Sequence, residues 1–181
     1  MEHNENEIEL LKERLFQKEQ LLLMSRAGLA TAMVDHFGEE AEEVIRNFLK
    51  KDTLDWAANG AQADIRANKK NDIQGLINFL WEPLRREGFE FTYNWNELGC
   101  QFKVTRCPVA EIAKALKVEK WGFIFYCWSD EAICEGYNPE IRFRRTKTLM
   151  EGDEYCDHFY SYDATALTVN RGNDDAAQEN R

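Results

Sequence analysis

Tyr137-Asn138-Pro139-Glu140-Ile141-Arg142-Phe143-Arg144-Arg145-Thr146-Lys147-Thr148-Leu149-Met150-Glu151-Gly152-Asp153-Glu154-Tyr155-Cys156-Asp157-His158 is the stretch whose reading decides the fold. Side chains alternate along a strand with period two. Ile141, Phe143, Arg145, Lys147 and Leu149 therefore share one side of a first strand, and Arg142, Arg144, Thr146 and Thr148 the other. Glu151-Gly152-Asp153 supplies a turn. On the returning strand Cys156, His158, Tyr160 and Tyr162 point one way, and Tyr155, Asp157, Phe159 and Ser161 the other. Neither strand has a purely apolar face, so this β-hairpin reads as a pocket wall or as a polar sheet facing water.

Upstream, Phe89, Phe91, Tyr93 and Trp95 alternate with polar residues, the mark of a half-buried strand. A turn at Asn96-Glu97 leads to a second alternating run, Cys100, Phe102, Val104 and Arg106. Pro108 opens a short helix through Leu116, and a longer helix is predicted from about Trp121 to Glu135, ended by Gly136. The first third is helical. Ile8, Leu11, Leu15 and Leu22 recur at helical spacings, and Ala41, Val44, Ile45, Phe48 and Leu49 form a second stripe beyond a break at Gly38. A third helix spans Asp72 to Leu84, with Asn71-Asp72 as its cap and Ile73, Leu76, Ile77, Leu80 and Trp81 inward. The expected fold is α+β: an antiparallel sheet of about four strands packed with helices, preceded by an N-terminal helical layer. The expected division is a helical region over 1–86, an α+β region over 87–169 and a polar, disordered tail over 170–181, the whole forming one compact domain.

Apolar residues make up 44% of the 181, with 11 Phe, 6 Tyr and 5 Trp, enough for a core. A net charge of −10 argues against a nucleic-acid or anionic-membrane partner, since affinity for phosphates comes from clustered Lys and Arg. No apolar run approaches the ~20 residues needed to span a bilayer. The acidic start does not resemble a basic leader, so a cytoplasmic location is expected. Five cysteines, an odd number without a C-x-x-C pair, argue against a disulfide framework. Phosphate loops, G-x-S-x-G elbows, H-E-x-x-H and dinucleotide fingerprints are absent.

Several residues carry chemistry. Cys127, Asp130 and Cys134 fall at i, i+3 and i+7 of the predicted long helix, one turn after Phe123. Asp130 is either an edge acid in water or an acid lining a pocket, where desolvation raises its pKa. Cys156 and His158 share a strand face about 7 Å apart. They read as a buried thiol beside a surface imidazole, as a nucleophile with its base, or as two ligands of a zinc-like metal completed by Cys127, Asp130 or Cys107. Arg145, beside Ile141 and Phe143, needs an anion, either Asp130 or Asp157 internally or a substrate carboxylate.

The order of Cys107-Pro108, Cys127, Asp130, Tyr137-Asn138-Pro139, Arg145-Thr146-Lys147-Thr148-Leu149, Gly152-Asp153 and Cys156-Asp157 resembles the L-2-amino-thiazoline-4-carboxylic acid hydrolase family over roughly the last half of the chain, short of its tail. The resemblance implies hydrolysis of a cyclic C–N/C–S centre, opening 2-amino-thiazoline-4-carboxylate to N-carbamoyl-cysteine. On that reading Cys156, Asp130 and His158 are catalytic, with Cys156 as nucleophile or water-positioning group and Asp130 as proton donor or acceptor assisted by His158. Arg145 holds the carboxylate, and Cys127 and Cys107 line the pocket. No cofactor is required, although a divalent metal is compatible. The rival is a non-enzymatic small-molecule or metal-binding domain. A third reading gives the N-terminal helices the main role, as a homo-oligomer interface or partner surface.

Overall fold

The computed structural model describes residues 2–165, with side chains from residue 7, so the predicted tail over 170–181 lies outside the described residues. Helix α1 (Glu2–Phe37) and helix α2 (Glu39–Arg66) form an antiparallel hairpin. Gly38 joins them at φ 78°, in the left-handed region that favours glycine. After the connection comes α3 (Ile73–Leu76), a π-helical turn (Ile77–Trp81) and α4 (Glu82–Arg86). The expected cap is present: the Gly75 N–H donates to Asp72 Oδ1 at 2.8 Å. The π turn precedes Pro83, whose ring and missing N–H are incompatible with regular i→i−4 bonding at that point.

Strands β1 (Glu90–Asn96) and β2 (Gly99–Arg106) pair antiparallel, with Tyr93 opposite Phe102. Helix α5 (Pro108–Leu116) starts at proline as predicted, and α6 (Glu119–Tyr126), α7 (Asp130–Tyr137), β3 (Arg142–Arg144), a 3-10 turn (Leu149–Glu151) and β4 (Phe159–Ser161) follow. The sheet is four-stranded, in the order β1-β2-β4-β3. All its pairs are antiparallel, so the α+β expectation holds.

Three local expectations are corrected. The predicted helix over 121–135 breaks at Cys127-Trp128-Ser129, because the buried Ser129 bonds its hydroxyl to Thr53 of α2 at 2.9 Å and the chain turns there. Gly136 does not end a helix. It lies inside α7, where a Cβ would collide with the Leu54 carbonyl oxygen and meet Ala57 Cβ at 3.0 Å. It is the point at which α7 lies directly on α2. The hairpin is the third correction. Its first strand stops at Arg144, because the Asp157 carboxylate takes the N–H groups of Thr146 (2.7 Å) and Lys147 (2.6 Å) out of the ladder. Cys156 instead bridges Val104 of β2, and only Phe159–Ser161 pairs with β3, Phe143 lying opposite Tyr160.

One face of the sheet is covered by an aromatic core. Trp81 stacks on Phe102 with centroids 4.7 Å apart, and its Nε1–H donates to Tyr160 Oη at 3.0 Å. Leu23 of α1 packs with Val109, Ile112 and Met150, and Ala27 and Ala30 with Trp121 and Ile124, so the first helix contributes to the core. Its predicted stripe does not: Ile8, Leu11, Leu15 and Leu22 are 41–57% exposed. The second stripe divides, Ala41 being buried while Val44 and Phe48 face water.

Candidate active site

Helix ends and the segments around β3 and β4 bring the predicted residues near one another, with Cys156 and His158 buried and Cys107, Cys127, Asp130 and Arg145 half-buried. Cys107 caps α5, and its sulfur accepts the Ala110 N–H at 3.4 Å. Cys127 ends α6, and Asp130 begins α7, where the free N–H groups of a helix start favour a carboxylate. Arg145 follows β3 and reaches across both. Its Nη1 donates to Asp130 Oδ2 in a short charge-assisted bond, its Nη2 donates to the Cys127 carbonyl at 3.3 Å, and its guanidinium lies 5.4 Å over the Phe123 ring. Arg145 and Asp130 side chains are 11% and 16% exposed, so this is an internal ion pair. Of the two internal anions open to Arg145, it takes Asp130, and Asp157 holds the loop backbone.

The same Asp130 Oδ2 lies 3.3 Å from His158 Nε2. His158 is buried, not a surface imidazole, and sits edge-on to Trp81 and tilted against Phe143. Its other nitrogen, Nδ1, is buried and has no hydrogen-bond partner among the described residues. An unsatisfied buried polar atom costs about 1–3 kcal/mol, so this one calls for an explanation.

Cys156 accepts the Leu149 N–H at 3.2 Å, and its S–H faces Thr148 Oγ1 at 3.8 Å. Burial pushes its pKa up, opposed by the Leu149 N–H, Thr148 and the positive Arg145. Burial also raises Cys107 to about 11 and Cys127 well above the ordinary thiol value. These three sulfurs are close enough for charge on one to act on the others. Cys100 and Cys134 are buried, and desolvation raises both. Every thiol is thus biased to the protonated form. Among the described residues no three His, Cys, Asp or Glu side chains are arranged to hold a metal ion.

A cleft of about 630 Å³ is lined by Phe123, Met150 and Gly152 together with three cations, Arg46, Lys114 and Lys120, and two acids, Glu119 and Glu151. Phe123, beneath Arg145, is the residue shared by this cleft and the group around Arg145. A second cleft, lined by Phe89, Phe91 and Arg106, contains none of the predicted site residues. Sequence reasoning missed Thr148 as a partner of Cys156, and Trp81 as a wall of His158. Nothing in the local pattern around Trp81 points to a histidine far along the chain.

No helix among the described residues is long and apolar enough to cross a membrane. No curated protein matches the sequence. Among solved structures, the phenol-responsive sensory domain of the transcription activator PoxR, bound to phenol, aligns at 14% identity and a TM-score of 0.47. The alignment covers 77% of this chain and 73% of that one. The sequence profile described as L-2-amino-thiazoline-4-carboxylic acid hydrolase matches residues 17–160, reaching well upstream of the motifs that carried the resemblance, and the chain belongs to that family.

Proposed function

We propose that the protein is a hydrolase acting on small, non-peptide cyclic C–N/C–S substrates such as 2-amino-thiazoline-4-carboxylate, with Asp130, His158 and Cys156 at its centre. One observation carries this reading. Asp130 holds His158 through Nε2, leaving Nδ1 buried and unpaired. With the proton on Nε2, the carboxylate orients the ring and Nδ1 presents a lone pair, the arrangement of a general base.

On this reading Nδ1 removes a proton from water as it attacks C2 of the ring. The added hydroxyl passes its proton to the ring nitrogen as C2 becomes the carbonyl carbon, the C2–S bond breaks, and the imidazolium returns its proton to the departing sulfur as a thiol. The sum consumes one water and gives N-carbamoyl-cysteine. Asp130 stabilises the transient imidazolium, and Arg145 fixes Asp130 rather than gripping the substrate. Burial of Cys156 disfavours its thiolate and supports a water-positioning role over direct attack. Cys107 and Cys127 wall the space. The test is release of free thiol from 2-amino-thiazoline-4-carboxylate by purified protein, metal-free and with added divalent ions. Substrate-dependent thiol is the expected result, and none under any condition would remove this substrate.

A second reading has one observation in its favour. Arg145 is occupied by Asp130, and Cys156 lines neither of the two clefts described above. That suits a small-molecule-binding domain without turnover. Calorimetric binding of the same carboxylate with no thiol release would select it. The site lies in a single chain, and no nucleic-acid or membrane partner is needed for either reading.

A further inference from the structure

Helix α1 carries more apolar side chains than the fold buries: Leu10, Phe16, Leu21 and Met24 are exposed as well as one regular row. Leu23, Ala27 and Ala30 are buried against the chain's own core. Roughly a quarter-turn away, Ile8, Leu15, Leu22 and Leu29 repeat every seven residues, with Leu11 beside them, and all five are 41–66% exposed. Over residues 8–29 this stripe is about 33 Å long. A row of aliphatic side chains of that length, kept in water, marks an association surface.

The pattern also names the partner. With Ile8, Leu15, Leu22 and Leu29 at heptad position a, position d holds Leu11, Lys18 and Ser25, and the flanking position e alternates Lys12, Glu19 and Arg26. In a parallel pair Lys18 would face its own copy in the seam. In an antiparallel pair a faces d, so Lys18 lies against Leu15, Leu11 against Leu22 and Ser25 against Ile8. The same register brings Lys12 of each helix near Glu19 of the other, a half-buried carboxylate that also accepts the Tyr126 hydroxyl of its own chain. The helix is therefore complementary to itself when reversed. The chain's own segment 166–181, with one leucine and one valine, has too little apolar surface to cover the stripe.

We infer that the protein forms a two-fold homodimer through antiparallel pairing of α1 helices along Ile8, Leu11, Leu15 and Leu22. The interface is isologous, as a two-fold axis requires. It leaves the Asp130–Arg145–His158 group in each protomer untouched, so it stands or falls apart from the hydrolase reading.

The test is sedimentation and light scattering of the full chain at micromolar concentrations, with circular dichroism to confirm folding. Wild type is expected at twice the 21.2 kDa of one chain. Leu15→Glu with Leu22→Glu should raise the dissociation constant by roughly 100-fold or more. Both side chains face water in the single chain, so folding should not suffer. Lys12→Glu alone should weaken the dimer, and adding it to Glu19→Lys, a change that by itself also removes the Tyr126 bond, should tighten the dimer relative to either single variant. In a parallel pair Lys12 would instead lie beside Glu7 of the other helix, and Glu19 beside Arg14. Reversing both charges would then create two like-charge contacts and weaken that pair further. A monomeric wild type, a dimer indifferent to the leucine changes, or a double reversal no tighter than the single variants would each overturn the inference.

Discussion

Replacing Arg145 by Met keeps most of the aliphatic stem but deletes the guanidinium that faces Asp130 and lies over Phe123. The pair is largely withdrawn from water, at 11% and 16% side-chain exposure. Removing one partner of a buried ion pair leaves the other charged and uncompensated, typically at a cost of about 3–5 kcal/mol. Asp130 keeps His158 Nε2 at 3.3 Å, which places the expected loss near the lower limit, about 3 kcal/mol. For a chain of this length that lowers the melting temperature by roughly 6–12 °C. Urea unfolding of wild type, Arg145→Met, Asp130→Asn and the double variant measures it. The coupling should reach about 2 kcal/mol, because in the double variant neither group is left charged. Arg142, exposed and bonded to the Pro139 carbonyl, is the control, and its change to Ala should cost less than about 0.5 kcal/mol. A loss below about 1 kcal/mol for Arg145→Met, with no coupling, would refute the buried pair as the support of this region.

Other expectations follow from the same geometry. Gly136→Ala would push a methyl into the Leu54 carbonyl where α7 crosses α2, and should destabilise the fold by about 2–4 kcal/mol in thermal unfolding. Hydrogen bonds from Lys69 at 2.8 Å and from the Tyr137 hydroxyl at 3.0 Å hold Asp64 below its ordinary value of 3.8. The stability it contributes is complete above that ordinary value and is lost as pH falls through the lower folded one. Asp64→Asn should therefore weaken the protein near neutrality and flatten its loss of stability in acid. With every thiol raised by burial, iodoacetamide should label the folded protein slowly at about pH 7. A single cysteine reacting rapidly there would contradict the protonated thiols and revive Cys156 as a direct nucleophile.

Alternation made β1 and β2 legible, and Pro108 announced α5, because these signals are local. Cys127, Asp130, Arg145, Cys156 and His158 stood out as polar or thiol groups on faces otherwise apolar, Cys107 entered through the family resemblance, and the fold places the six near one another. What the pattern concealed were tertiary effects. The break at Ser129 depends on Thr53 in another helix, and the early end of β3 depends on the Asp157 carboxylate taking two N–H groups from its ladder. Gly136 carries the same residue signal whether it ends a helix or admits a neighbour; only the contact with Leu54 separates the two. The choice of Asp130 as the partner of Arg145 needed the loop positions, which periodicity does not supply.

The central claim is that His158, oriented by Asp130, acts as the base through Nδ1. The direct test is turnover of 2-amino-thiazoline-4-carboxylate to free thiol by wild type and His158→Gln, each shown to be folded. The account predicts thiol release by wild type and a loss of about 100- to 10,000-fold in kcat, with KM little changed, in the variant. Equal rates in the two proteins would contradict it.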